Sequence, residues 1–178
     1  MASSSSPLKK YDVFISYRGL DTRVGFTSHL HSALSRNYFR TYIDDRIKSG
    51  NNIWEELVNA IKKSTLLRVV FSENYANSTW CLDELVEMME CSRNNRQVVV
   101  LPVFYRIEPS QVRYLTGSYG TALAKHKTRR RYSDRCIQNW RNALFKAASL
   151  SGFHVTDHRY LFTVFFFFFI SIPSLNNE

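Results

Sequence analysis

Short apolar segments alternate with helical patterns along this chain, and this alternation restricts the possible folds more than any other feature. Residues 11–17, 40–43, 66–71 and 98–105 are rich in β-branched and aromatic side chains, which predicts buried strands. Between them, apolar residues recur at spacings of three and four, namely Phe26, Leu30, Ala33 and Leu34, then Ile53, Leu57, Ala60 and Ile61, then Leu82, Leu85, Val86 and Met89. Strands that alternate with helices predict βαβ units in a parallel sheet.

The last third of the predicted domain contains two more helical patterns and one weak strand. Residues 122–126 and 137–150 have helical patterns, and one face of the second helix carries Trp140, Ala143, Leu144 and Ala147. Gly152 is expected to stop that helix, and residues 153–155 would add a fifth strand. The predicted fold class is therefore α/β, a flavodoxin-like doubly wound sheet of five parallel strands with helices on both faces.

The cysteine and histidine positions favour a reducing compartment and no metal site. The three cysteines, Cys81, Cys91 and Cys136, are odd in number and form no C-x-x-C pair, so neither a disulfide framework nor a zinc site is indicated. His29 and His31 are two residues apart on a predicted helix, so they lie on different faces and do not form a metal pair.

The two ends of the chain differ in composition from its middle. Residues 1–9 form a flexible serine-rich lead without a signal-peptide core, and Ala2 excludes N-myristoylation. Residues 10–155 form the predicted domain, and residues 156–178 form an atypical apolar tail with five consecutive phenylalanines. Stable membrane insertion is not expected, because a span needs about 20 apolar residues. The tail is interpreted as a buried final element, an exposed aggregation-prone end or an interfacial membrane contact.

The chain has a net charge of +9, and six of its basic residues lie within residues 125–135 with Asp134 as the one acid among them. Such a run is typical of a solvated helix end or loop. It is also typical of a surface that binds an anionic ligand, a nucleotide or RNA. The sequence leaves both interpretations open, and residues 125–131 could also serve as a nuclear import signal.

Polar segments follow three of the predicted strands, where a doubly wound sheet binds its ligands. The first segment contains Arg18, a cation, beside Gly19, which lets a backbone approach a phosphate closely. A plain strand-to-helix turn is the alternative for this pair. The other two segments are residues 44–52 and residues 72–84.

An acid and a tryptophan near the start of the third helix form a further candidate pair. At about 100° per residue, Trp80 and Glu84 lie within one turn, on the face opposite the apolar stripe. The helix dipole alone would explain a solvated acid there, but it explains an outward tryptophan less well. Cys81 has no histidine patterned to activate it, so packing is favoured over a role as nucleophile.

Ordered motifs over residues 11 to about 152 resemble those of plant TIR (Toll/interleukin-1 receptor-like) domains. YDVFISYRG at residues 11–19, followed by DTR at 21–23, resembles the opening signature of that family. Further matches at family spacing are FTSHL at 26–30, YIDD at 42–45, FSENYA at 71–76, STWCLDEL at 78–85, PVFY at 102–105 and WR at 140–141. Departures are Arg106 for the usual Asp, Ser49 for a frequent Arg, and the apolar tail in place of a final amphipathic helix. With no G-x-x-x-x-G-K-[ST] loop, the resemblance is to a TIR-only or truncated immune receptor protein.

The resemblance implies an enzyme, a self-association-dependent NAD+ hydrolase (NADase) that produces nicotinamide and ADP-ribose-type signals in plant immunity and cell death. NAD+ is then the substrate, and no cofactor is expected. The implied catalytic residue is Glu84, with substrate-binding residues Arg18, Gly19, Ser72, Trp80 and Cys81. A mobile loop that contains Lys48, Ser49 and Gly50 is implied to complete the pocket. Ser28 and His29 are implied to take part in self-association.

The implied partners are further copies of the chain, other TIR-containing immune receptors, and lipase-like immune signalling proteins reached through nucleotide products. The implied location is cytoplasmic, with nuclear entry left open. A non-catalytic TIR adaptor or decoy that scaffolds or inhibits immune receptors is the alternative function. A nucleic-acid-directed activity that yields cyclic nucleotides is a third hypothesis, motivated by the basic run.

Overall fold

The computed structural model describes residues 10–43, 51–129 and 131–156. In chain order the elements are β1 (Tyr11–Tyr17), α1 (Gly19–Thr22), a π-helical segment (Arg23–Thr27), α2 (Ser28–Arg36), β2 (Thr41–Ile43), α3 (Asn51–Lys62), β3 (Ser64–Phe71), a 3-10 turn (Tyr75–Asn77), α4 (Thr79–Asn94), β4 (Val99–Tyr105), α5 (Pro109–Tyr114), α6 (Gly117–Thr128), α7 (Asp134–Ala148) and β5 (Phe153–Val155). The predicted loop residues Lys48, Ser49 and Gly50, and the apolar tail from residue 157 onward, lie outside the described residues.

The five strands form one sheet in the order β2-β1-β3-β4-β5, and every neighbouring pair is parallel. The predicted α/β class and five-stranded parallel sheet are thereby confirmed. After β1 the chain adds β2 on one side and then returns to add β3 on the other side. The ends of β1 and β3 therefore flank the point where the winding reverses, which is where sheets of this kind open a crevice for ligands.

The core has one layer on each face of the sheet, as the alternation of strand side chains requires. In β1, Val13 and Ile15 face the layer that contains Leu30 and Leu34 of α2. Phe14 faces the opposite layer, to which α3, α4, α6 and α7 contribute. The sheet is thus covered by helices on both faces, as the sequence predicts.

In the described part of the chain, no helix is both long and apolar enough to cross a membrane. No group of three His, Cys, Asp or Glu side chains among those residues is placed to hold a metal ion.

Gly152 is needed because its backbone lies very close to Pro102 of β4. The prediction that Gly152 stops the preceding helix was wrong. Helix α7 has already ended at Ala148, and Gly152 lies against β4 just before β5 begins. A Cβ atom on Gly152 would lie 2.5 Å from the carbonyl oxygen of Pro102 and 2.6 Å from its Cγ. Since the first of these atoms belongs to the backbone of the sheet, it cannot move without cost.

We expect Gly152→Ala to lower the free energy of unfolding by about 1–3 kcal/mol, because the added methyl overpacks the start of β5. For a domain of this size each kcal/mol lowers the melting temperature by about 2–4 °C. Gly25→Ala is the matched control, since a Cβ there meets no atom within 4 Å, and it should be neutral or slightly stabilising. Thermal unfolding followed by circular dichroism measures both, and equal melting temperatures would contradict the assigned role of Gly152.

Candidate active site at the ends of β1 and β3

The Glu84 carboxylate lies at the end of β1, where Ser16 Oγ donates a 2.6 Å hydrogen bond to its Oε2. Ser16 is the penultimate residue of β1, and Glu84 lies in the second turn of α4, so this bond joins the helix to the sheet. Ser16 is completely buried and Glu84 is 3% exposed. Burying a carboxylate is costly unless polar groups satisfy it, so the Ser16 hydroxyl is part of what holds this acid in place.

The face of α4 that carries Glu84 differs from the predicted face. The buried residues of α4 are Cys81, Leu82, Glu84, Leu85 and Met88, whereas Val86 and Met89 of the predicted stripe are only partly buried. The prediction that Glu84 lies on the outward face was therefore wrong. Because Glu84 is buried, a favourable effect of the helix dipole on a solvated acid does not explain its position. Helix α4 packs against β1, β4, α3 and α7 at once, so its buried arc is wider than an apolar stripe and includes the acid.

Tyr75 extends the contact between Ser16 and Glu84. Its hydroxyl oxygen lies 2.8 Å from Ser16 Oγ, and it donates a 2.9 Å hydrogen bond to the carbonyl oxygen of Cys81. Because the single hydroxyl proton of Ser16 is directed at Glu84, the proton of Tyr75 is shared between Ser16 Oγ and that carbonyl. Burial raises the pKa of Tyr75 well above its ordinary value, and the neighbouring Cys81 and Glu84 add to the rise. Tyr75 thus stays a neutral donor.

Trp80 lies one helical turn before Glu84 and presents part of its ring at the surface, with 38% of the residue exposed. It packs edge-on against Trp54 of α3, with ring centroids 5.2 Å apart and planes at 81°. Two indole rings, one from α3 and one from α4, therefore form an aromatic platform next to the helix turn that carries the acid. Such a platform is suited to stacking against a flat ring.

The loops after β1 and β3 are joined by hydrogen bonds that converge on Asp21 and Arg18. Asp21 Oδ2 accepts from Ser72 Oγ at 2.7 Å and from the Asn74 backbone N–H at 2.9 Å. Arg18 Nη1 donates to the Asn74 carbonyl oxygen at 2.8 Å. Gly19 begins α1, and a Cβ there would come within 3.0 Å of the Arg23 guanidinium. The guanidinium of Arg18 is thus held in a defined orientation at the end of β1.

Cys81 lies beneath this site and has the environment of a packed thiol. Its sulfur is a 3.6 Å donor to the carbonyl oxygen of Tyr17, and the residue is 5% exposed. Burial, together with the nearby charge of Glu84, raises the pKa of Cys81 to about 12. Since the thiolate is the nucleophilic form, this environment favours packing over nucleophilic attack.

The structure brings most of the predicted site residues together and separates the predicted self-association residues from them. Arg18, Gly19, Ser72, Trp80, Cys81 and Glu84 all lie around the ends of β1 and β3 or on the first turns of α4. Ser28 and His29 are exposed on α2, which packs on the opposite face of the sheet from α4. Sequence reasoning missed four residues that build the site, Ser16, Asp21, Trp54 and Tyr75.

We expect Cys81 to remain unmodified when the native protein is treated with iodoacetamide at about pH 8. A thiol with a pKa of about 12 is ionised in only about one molecule in 10,000 at that pH, and the fraction rises about tenfold per pH unit. Cys136 is partly exposed and should react faster. Peptide mass spectrometry measures both, with the denatured chain as the control in which every cysteine reacts. Rapid alkylation of native Cys81 would contradict the packed environment.

Comparison with known proteins identifies the family. The model of a family described as TIR domain matches residues 10–161. The disease resistance protein RPV1 of Vitis rotundifolia is 49% identical over 163 residues, which cover 89% of this chain and 11% of that protein. The TMV resistance protein N of Nicotiana glutinosa is 48% identical over 154 residues, which cover 85% of this chain and 13% of that protein. The chain thus spans only 11–13% of the length of these two relatives.

Solved structures agree with this result. The TIR domains of the activated Roq1 resistosome match with a TM-score of 0.81 and 38% identity, covering 90% of this chain and 99% of that chain. The TIR domain of the Toll-related receptor TRR-2 from Hydra magnipapillata matches with a TM-score of 0.53 and 17% identity, which is a likeness of fold alone. The sheet order, the motifs around Trp80 and Glu84, and the family match over residues 10–161 show that this chain belongs to the TIR domain family.

Proposed function

We propose that this TIR domain is a self-association-dependent NAD+ hydrolase that releases nicotinamide and ADP-ribose-type signals in plant immunity and cell death. The observation that carries the proposal is the Glu84 carboxylate, bonded to Ser16 at the switch point of the sheet, one turn from the Trp80 ring. The immune role is supported by the relatives, which are disease resistance proteins of plants.

The proposed reaction breaks the bond between nicotinamide and ribose and leaves an oxocarbenium-like sugar. A carboxylate in a partly dry site stabilises that developing positive charge, and it does so best when it is already oriented. The bond from Ser16 supplies that orientation for Glu84. Nicotinamide leaves as a neutral molecule, so a strong general acid is not required, and water then adds to the sugar.

Two further groups suit the remaining parts of a dinucleotide. The platform of Trp54 and Trp80 suits a flat ring, and stacking of a base on an aromatic side chain contributes about 1–3 kcal/mol. The Arg18 guanidinium, held by the Asn74 carbonyl, suits the charged oxygens of a pyrophosphate, because guanidinium forms paired hydrogen bonds with such groups. Gly19 and Ser72 complete this proposed wall.

Assembly is proposed as the step that opens the site. With Glu84 only 3% exposed, a ribose can reach the carboxylate only after neighbouring segments move. We propose that Ser28 and His29 contribute to one contact between protomers, and that Lys48, Ser49 and Gly50 complete the pocket in the assembled state. The likeness to the TIR domains of the activated Roq1 resistosome supports an assembled form. A monomer is then nearly inert.

The proposed partners and location follow from this activity. They are other TIR-containing immune receptors, and lipase-like signalling proteins that respond to the nucleotide products. The reaction is proposed to take place in the cytoplasm, with the nucleus as a second location.

A non-catalytic adaptor or decoy is the second candidate function, and the burial of Glu84 favours it. A carboxylate that is 97% enclosed could act as a structural group, bonded to Ser16, while the surface of the domain scaffolds or inhibits other TIR proteins. The two functions differ in whether the assembled protein consumes NAD+.

For the enzyme, we expect Glu84→Gln to lower the rate of nicotinamide release by about 100-fold or more, because the charge that stabilises the transition state is lost while the side-chain shape is kept. The protein is assayed as an assembly, fused to an oligomeric scaffold, with NAD+ as substrate and chromatography of the products. Glu90→Gln is the matched control, since it makes the same change at an exposed position of α4, and it should keep the rate within about twofold.

Two outcomes would overturn the proposal. One is an assembled Glu84→Gln protein, with an unchanged melting temperature, that hydrolyses NAD+ at the native rate. The other is a native assembly of confirmed size that consumes no NAD+, which would favour the adaptor function.

A further inference from the structure

A pocket of 540 Å³ lies between the loops after β1 and β3 and the end of α6. On one side its lining comes from the segments after β1 and β3 and includes Arg18, Asp21 and Asn77. On the other side the lining comes from the C-terminal end of α6 and includes Lys125, His126 and its C-cap residue Arg129. Neither Trp80 nor Glu84 contributes to this lining. The pocket is therefore separate from the proposed place of the ribose, and it shares Arg18 with the proposed pyrophosphate wall.

The lining of this pocket carries more positive than negative charge. Three cations, Arg18, Lys125 and Arg129, line it together with one carboxylate, that of Asp21. Asp21 forms an ion pair with Arg18 at 3.9 Å and accepts hydrogen bonds from the loop after β3, so the two cations at the end of α6 supply the excess positive charge. Lys125 and Arg129 are four residues apart at the end of α6, and like charges at this spacing on a helix repel. A bound anion would remove that repulsion.

The helix dipole does not explain this arrangement. Cations near a helix C-terminus are favourable in general, and the last turn of α6 contains Lys125 and Lys127. Lys125, Lys127 and Arg129 are all exposed. Lys127 serves the dipole equally well, yet it does not line the pocket. The dipole of α6 also does not explain why Arg18, which follows β1, lines the same pocket.

The walls that carry these cations are held by buried hydrogen bonds. His126, which is 4% exposed, has its Nε2 2.9 Å from the carbonyl oxygen of Ala76. Tyr119 of the same helix donates a 2.9 Å bond to the carbonyl oxygen of Ser72. Helix α6 is thus joined at two points to the chain after β3. A pocket with a fixed backbone loses less freedom when a ligand binds.

We propose that this pocket binds the phosphate group of a nucleotide, with Arg18, Lys125 and Arg129 as its contacts. The amide of Asn77 supplies a polar group for the hydroxyls of the sugar. The volume of 540 Å³ lies within the range of about 300–1,000 Å³ typical of small-ligand sites. The proposal accounts for two of the basic residues between positions 125 and 135, and it does not require that the protein hydrolyse NAD+.

The test uses the full chain and measures the affinity for ADP and, in a second arm, for inorganic pyrophosphate by isothermal titration calorimetry at low ionic strength. The variant Lys125→Gln/Arg129→Gln should bind ADP about tenfold more weakly or worse, because two charge-assisted contacts are lost. The matched control Lys127→Gln/Arg131→Gln also loses two positive charges, from exposed positions outside the pocket, and should stay within about threefold of the native affinity. Equal melting temperatures show that both variants fold.

Each remaining arm has a defined meaning. Equal binding of pyrophosphate and ADP would assign the affinity to the phosphates, and tighter binding of ADP would add the nucleoside, so both results support the site. An equal loss of ADP affinity in the two double variants would overturn the proposed site. So would a native chain that binds neither ADP nor pyrophosphate, even if it binds single-stranded RNA. The variant Glu84→Gln should bind ADP within about twofold of the native affinity. If this variant no longer binds ADP, then ADP occupies the Glu84 site and the inference is wrong. If the variant loses only NAD+ hydrolysis, the inference stands.

Discussion

The hydrogen bond from Ser16 to Glu84 is the contact on which the arrangement of this site depends. A carboxylate at 3% exposure is stable only if the groups around it are polar and close. Meeting that condition brings three elements together, namely the end of β1, the second turn of α4, and Tyr75 in the turn between β3 and α4. The cost of burying the acid is thus offset by bonds that also determine where it points.

The sheet supplies the position for this contact, and the loops supply its rigidity. The winding reverses beside β1, which opens the crevice at the ends of β1 and β3. Asp21 then joins the loops that follow the two strands, and Tyr119 joins α6 to the end of β3. Polar groups at loop ends are therefore held by a scaffold of strands and helices, which is the usual way a fold presents a site.

The strands and most helix faces could be predicted because their signal is local. Runs of β-branched and aromatic residues marked β1 to β4, and a spacing of three and four marked the buried faces of α2, α3 and α7. Glu84 and Trp80 share a local signal in that they lie one turn apart, but it was the resemblance to plant TIR domains that singled out Glu84 as the catalytic candidate. The burial of Glu84 could not be predicted, because its partner Ser16 is 68 positions away in sequence. A single serine in an apolar strand does not indicate which residue it will contact.

The role of the basic run near the end of α6 also could not be predicted from sequence. Its composition is equally compatible with solvated charge and with a ligand site, and only the placement of Arg18 opposite Lys125 and Arg129 separates these residues from Lys127. That shared use of Arg18 has a thermodynamic consequence. If a single guanidinium faces both a nucleotide in this pocket and a dinucleotide beside Glu84, the two occupancies are linked, and the factor by which one ligand changes the affinity of the other is the same in both directions.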